Sequence, residues 1–260
     1  METLRLETDA RGIATVTLAR PDAHNAMNAA MIAELHETAD ALGADAAVRA
    51  VVLTGEGRSF CAGGDLNWMR QQFEAAPETR MVEARKLAHM LRAWNVCPKP
   101  VIGRIQGQAF GGGVGLMSVC DVAITVDGAR FGLTETRLGL IPATIGPYVI
   151  ARLGEGYARR VFMSARLFDA GEAVSLGLAA RAVSPDLLDE AIEREIAPYL
   201  ATSPVAVAAA KALARTLGPS IDDGVIEDSV RRLAETWETD DAQEGIAAFL
   251  EKRTARFAAG

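Results

Sequence analysis

A layered α/β fold with a mostly parallel sheet, followed by a helical C-terminal region, is the class this sequence predicts, on three observations. Short apolar segments alternate with amphipathic helical segments at βα spacing through the first part of the chain. Three glycine-bearing loops follow predicted strands. After about Ala180 the periodicity is helical throughout. The chain has 260 residues, of which 50% are hydrophobic and 23% charged, enough to bury a full core.

The elements follow in order. Leu4-Arg5-Leu6-Glu7 and Ile13 to Leu18 alternate around Asp9 to Gly12, which predicts a β-hairpin. Asn28 can cap a helix running to about Leu42, with Met31, Leu35, Ala39 and Leu42 on one face. Arg49 to Thr54 is a continuously apolar segment bounded by Gly55 and Gly57, as expected of a buried parallel strand. A helix from about Glu78 to Trp94 is stopped by Pro98 and Pro100. Val101 to Gln106 is the next strand, Phe110 to Val119 a short helix, and Asp121 to Val126 another strand. The last strand signal is Ala182-Val183. Pro185 to Leu200, Pro204 to Leu217, Ile221 to Trp237 and Asp240 to Arg256 then predict four helices.

Composition excludes several functions. Lys and Arg number 27 against 34 Asp and Glu, a net charge of −7, so a nucleic-acid partner is not expected. Cys61, Cys97 and Cys120 lack the close spacing of zinc or redox motifs, so no metal is expected and the thiols suit a reducing compartment. Met1 to Arg11 carries three acidic residues and no apolar run, unlike a signal peptide, and no stretch of the chain is apolar enough for a membrane span. The expected setting is the cytoplasm.

The three glycine loops carry the chemical information, because parallel sheets bind ligands at the carboxyl ends of their strands. In Ser59-Phe60-Cys61-Ala62-Gly63-Gly64-Asp65-Leu66, small residues admit a ligand to the backbone, and Asp65 can cap a helix starting at Leu66. Taken alone, this is also an ordinary tight βα turn. In Gly107 to Gly115, four glycines in the five positions from Gly111 cost helix propensity of about 1 kcal/mol each relative to alanine. Either a ligand or a closely packed helix would justify that. In the third loop, Glu135 sits among Phe131, Leu133, Leu138, Leu140 and Ile141. Apolar surroundings raise a carboxyl's pKa and suit it to proton transfer, while a glutamate in the first turn of a short helix is an equal alternative. The chain has no GxSxG, HExxH or P-loop motif.

Taken together, Leu18 to Ala26, Phe60 to Leu66, Ala109 to Gly113, Cys120-Asp121, Phe131-Gly132 with Glu135, and Ala248 to Arg253 resemble the enoyl-CoA hydratase/isomerase (crotonase) family over most of the chain. The resemblance implies a spiral of ββα units over residues 1–195 holding the acyl-CoA site. It also implies a helical region over 196–260 that makes trimer contacts, as a homotrimer or a hexamer of two trimers. The substrate would be an acyl-CoA thioester, with no separate cofactor because coenzyme A is part of the substrate. The family's oxyanion hole carries over to the backbone N–H groups of Gly64 and Gly112, and its catalytic carboxylate to Glu135. Ala23, Asn25, Ala62, Gly63, Asp65, Leu66 and Gly111 map to its substrate- and CoA-binding motifs.

One departure bears on the reaction. Many hydratases of the family use two glutamates, and the position of the first is Gly115 here. A double-bond shift needs one base, which favours a 3-enoyl to 2-enoyl-CoA isomerase. Asp65 to Met69 and Glu135 to Ile145, in contrast, resemble bacterial 3-methylglutaconyl-CoA hydratases of leucine breakdown. The expectation is therefore a hydratase of a branched 2-enoyl-CoA, with isomerase, acyl-CoA hydrolase or decarboxylase, and non-catalytic binding as alternatives. A terminal carboxylate on the acyl group would require a cation, for which Arg70 is the first expectation and Arg137 the second.

Overall fold

The computed structural model describes residues 1–258 of the chain. The antiparallel pair β1 (Leu4–Thr8) and β2 (Ile13–Leu18) opens the fold as expected. Helix α1 (Ala29–Ala44) begins where the Asn28 side chain accepts a hydrogen bond from the Met31 N–H. Its face of Met31, Leu35, Ala39 and Leu42 is buried.

One unit is then built three times: a longer strand, a three-residue strand, and a helical segment. The first copy is β3 (Ala50–Gly55), β4 (Ser59–Cys61) and α2 (Leu66–Glu74), with the long α3 (Pro77–Val96) after it. The second is β5 (Val101–Ile105), β6 (Gln108–Phe110) and α4 (Gly112–Val119). The third is β7 (Val122–Val126), β8 (Arg130–Gly132) and a 3-10 turn, Glu135–Leu138. After these come α5 (Gly146–Leu153), α6 (Glu155–Phe162), β9 (Leu167–Asp169), α7 (Ala170–Ser175) and β10 (Arg181–Val183). The chain ends in α8 (Leu188–Leu200), α9 (Pro204–Leu217), α10 (Asp223–Trp237) and α11 (Asp240–Leu250).

The longer strands form one sheet in the order β1-β2-β3-β5-β7-β10, parallel from β2 onward, and the short strands form a second in the order β4-β6-β8-β9. This is the spiral of ββα units. Because β4, β6 and β8 are adjacent and parallel, the three loops that leave them emerge at one edge of the small sheet. The first two long strands after the hairpin are almost wholly buried, which explains why their sequence is continuously apolar instead of alternating.

Two helix bounds are corrected. The helix expected from Phe110 begins at Gly112, since Phe110 closes β6 and Gly111, at φ 47°, turns the chain into the helix. The last helix stops at Leu250, short of Arg256. Helix α8 runs to Leu200, as expected, and packs on β5 and β7. The main core gathers the large sheet with α1, α3, α4 and α8, and includes fully buried Trp94, Tyr148, Phe60 and Phe131. A smaller apolar cluster, Leu140, Trp237, Ala242 and Ile246, joins α10 and α11 to the chain just after the 3-10 turn. No single helix among the described residues is long and apolar enough to cross a membrane.

Candidate active site

The loops after β4, β6 and β8 line one cavity of about 540 Å³, and with it Gly64, Gly112 and Glu135 come together. At the first loop, Gly63 has φ +93°, a left-handed conformation that glycine adopts without strain. A methyl group there would sit 3.0 Å from the Phe110 carbonyl oxygen and 3.8 Å from the Gly112 nitrogen, so glycine lets loops one and two approach each other. A backbone bridge to Met27 fixes the outer side: Met27 N–H donates to Gly63 O at 2.7 Å, and Asp65 N–H donates to Met27 O at 2.9 Å. The Gly64 N–H between them has no acceptor among the described residues. Gly112 is the first residue of α4, where N–H groups have no intrahelical partner, and it too donates to nothing there. Two adjacent loops thus present two unspent N–H donors to one cavity.

Asp65 anchors this arrangement without lining the cavity. Its Oδ1 accepts from the N–H groups of Asn67 at 2.9 Å and Trp68 at 3.1 Å, capping α2, and its Oδ2 accepts from Arg20 Nη2 at 2.9 Å. Burial by itself would raise the Asp65 pKa, but the Trp68 N–H and the Arg20 guanidinium hold it below the ordinary value. Arg20 is committed to this pair and to the Ala26 carbonyl. Asn25 is fully buried; its amide donates to the carbonyls of Glu56 at 2.9 Å and Ser59 at 2.8 Å and accepts from Arg20 N–H at 2.9 Å. It ties the first loop to the hairpin. Ala23, half-buried, ends a 3-10 turn outside the cavity, while Ala62, Gly63, Leu66 and Gly111 line it.

Glu135 is the only carboxylate on the cavity wall among the described residues. Burial pushes its carboxyl up from the ordinary 4.5 to about 7. Its Oε2 is enclosed and has no hydrogen-bond partner, and a methyl group built on Gly111 would lie 3.0 Å from its Oε1. Glycine at 111 therefore makes room for the carboxyl. The two readings left open for the glycine run divide along it. Gly111 and Gly112 belong to the cavity, whereas a side chain on Gly113 would strike the Cys61 carbonyl of β4. A methyl on Gly115 would lie 2.6 Å from Ile145 Cγ2 and 3.5 Å from Leu91 Cδ1, so the second glutamate's position is filled by its neighbours.

Arg70, expected to face the substrate, is exposed on α2 and does not line the cavity. Arg137, the second expectation, does line it, as do Trp68 and Gln72 on α2, Arg80 on α3 and Trp237 on α10, of which Gln72, Arg80 and Trp237 stood in no expected site. Residues 80, 84 and 87 share one face of α3, and all three line the cavity.

Comparison with known proteins agrees with this geometry. The family model described as enoyl-CoA hydratase/isomerase matches residues 8–260. The chain is 35% identical over 247 residues to the 2,3-dehydroadipyl-CoA hydratase of Escherichia coli, covering 93% of each chain. It is 33% identical over 248 residues to the short-chain-enoyl-CoA hydratase of Clostridium acetobutylicum, covering 93% of this chain and 92% of that one. The crystal structure of an enoyl-CoA hydratase from Mycobacterium avium matches with a TM-score of 0.85 at 31% identity, over 99% of both chains. Matched by the family model over residues 8–260 and by these relatives along nearly its whole length, this chain belongs to the enoyl-CoA hydratase/isomerase family.

Proposed function

We propose that the protein adds water across the double bond of a branched 2-enoyl-CoA, with 3-methylglutaconyl-CoA as the favoured substrate, and that Glu135 performs both proton transfers. The observation that carries this reading is the pairing of Glu135, protonating near neutral pH, with the two unspent N–H groups of Gly64 and Gly112 in a largely apolar cavity. The thioester oxygen accepts from those two donors. As water attacks the β-carbon, Glu135 takes one of its protons and charge develops on the thioester oxygen as an enolate. Fixed donors in a water-poor site stabilise that charge, and loss of one costs about 10²–10³ in turnover in comparable oxyanion holes. The protonated Glu135 then returns a proton to the α-carbon on the same face. One carboxylate suffices for this syn addition, and packing around Gly115 leaves no room for a second there.

Two further points support the choice of substrate: the segments Asp65 to Met69 and Glu135 to Ile145 resemble 3-methylglutaconyl-CoA hydratases, and a relative at 35% identity is named for a dicarboxylic enoyl-CoA. The same reading takes the chain as a cytoplasmic trimer or hexamer. The apolar side chains of Val205, Leu213 and Leu217, all exposed on α9, suit burial between subunits. A specific observation also favours a second reaction, since a lone carboxylate is what a 3-enoyl to 2-enoyl-CoA isomerase needs. Incubation with a panel of enoyl-CoA thioesters, followed by mass spectrometry, separates the two. Gain of one water supports the hydratase, a moved double bond at constant mass supports the isomerase, and release of free CoA contradicts both.

A further inference from the structure

Among the described residues, ten buried side-chain polar atoms lack a hydrogen-bond partner, and five of them belong to residues of the one cavity: Trp68 Nε1, Gln72 Oε1, Arg80 Nε, Arg80 Nη1 and Glu135 Oε2. Glu135 is accounted for by the chemistry. The other four atoms sit on α2 and α3, and nothing in the proton transfers uses them. Buried polar atoms without partners are costly, so their concentration in one place, three of the four being N–H donors, points to a ligand that supplies the partners.

Arg80 dominates the group. Its side chain is only 10% exposed, and its guanidinium stacks 5.3 Å from the centre of the Trp237 ring. Nη1 is 3.1 Å from Glu238 Oε1 but outside hydrogen-bonding geometry, and the Glu238 side chain is 55% exposed. Water serves that carboxylate as well as Arg80 does, so the pair satisfies the arginine poorly. Trp68 and Gln72, one turn apart on α2, flank the same cavity with an indole N–H and an amide. Turning the Gln72 amide over exchanges its oxygen for an NH₂ donor. The other cation on the wall, Arg137, is exposed and beside Glu135 in the chain, so its charge is met by solvent.

We infer that Arg80, with Trp68 Nε1 and Gln72, receives a carboxylate at the far end of the acyl chain, so that the site selects enoyl-CoA thioesters of dicarboxylic acids over neutral thioesters of equal length. This rests on reading the cavity as the enoyl-CoA site. A planar guanidinium presents paired N–H donors that match a carboxylate, and burial strengthens the match by excluding water. The same cavity is lined by the apolar side chains of Met27, Leu87 and Leu140, which suit the carbons of an acyl chain.

The test measures binding of saturated, unreactive thioesters by titration calorimetry: glutaryl- and adipyl-CoA against pentanoyl- and hexanoyl-CoA. The wild-type protein binds at least one diacid thioester about tenfold or more tighter than its neutral counterpart, the factor expected of a charge-assisted pair. Arg80→Met brings that ratio down to near one, Trp68→Phe lowers it in part, and Arg70→Met, outside the cavity, keeps it. Arg80→Lys retains a charge and the packing stem, and lowers the ratio severalfold even if the methionine variant fails to fold. Equal wild-type binding of acidic and neutral thioesters overturns the assignment, as does an equal loss for both in the Arg80 variants. Hydration of 3-methylglutaconyl-CoA, 2,3-dehydroadipyl-CoA and 2-hexenoyl-CoA is measured separately. Absence of turnover with all three refutes the hydratase reading, while the binding ratio still decides the role of Arg80.

Discussion

At the scale of single residues, the surroundings of Glu135 fix its chemistry and its effect on stability together. Glu135→Gln keeps the shape and removes the base, so turnover falls about 10²–10⁴-fold, checked by steady-state kinetics on a confirmed substrate. The same exchange has a signed effect on folding. Below pH 4.5 the carboxyl is neutral in folded and unfolded chains alike; above it the unfolded chain ionises while the folded one resists up to about 7, so this group's burial costs progressively more as pH rises. At roughly 1.4 kcal/mol per pH unit, the cost reaches about 3 kcal/mol above pH 7. Glu135→Gln is therefore the more stable protein at pH 8, and the gap closes toward pH 5, as denaturant melts at the two pH values will register. Glu135 was legible in sequence as a lone acid in an apolar stretch. Arg80 was not, because its neighbours Glu78, Glu83, Arg85 and Lys86 read as a solvated helix face, and only the approach of α10 encloses it.

At the scale of elements, the site depends on loops held by side chains that do not line the cavity. Asp65 joins the α2 cap, the Arg20 guanidinium and the backbone next to Gly64. Asp65→Ala removes the cap and leaves a partly buried arginine unpaired, a loss of about 1–2 kcal/mol at pH 7. Because the Asp65 pKa is held below the ordinary value, its contribution is present above that value and fades as pH falls through the folded one. Turnover falls with it, as the Gly64 N–H loses its position; a variant that loses stability but keeps kcat would show that Asp65 acts on folding alone. The long strands and main helices could be read from periodicity, since each spans enough residues to show one. The strands of the small sheet could not. Three residues such as Ser59–Cys61 or Arg130–Gly132 carry no period, and their pairing depends on segments dozens of positions away.

At the scale of the whole molecule, the C-terminal helices close the cavity and brace the Glu135–Leu138 turn. A methyl on Gly245 of α11 would lie 2.5 Å from the Leu138 carbonyl carbon, and one on Gly139 would be equally close to the backbone of Asp241. The two glycines let α11 lie directly on the turn that carries Glu135. Gly245→Leu forces them apart, with a stability loss of about 1–3 kcal/mol and a fall in kcat, measured by thermal denaturation and kinetics on the same preparation. The contact joins residues more than 100 positions apart, so sequence periodicity showed the helices and their apolar faces but not what they cover. The proposed hydration rests on one glutamate, ionised, activating water. Its most direct test is the pH dependence of kcat/KM for hydration between pH 5.5 and 8.5. The expected profile is a single ascending limb with a midpoint near 7 that Glu135→Gln abolishes; a flat wild-type profile, or a limb that survives in the variant, would show that Glu135 is not the base.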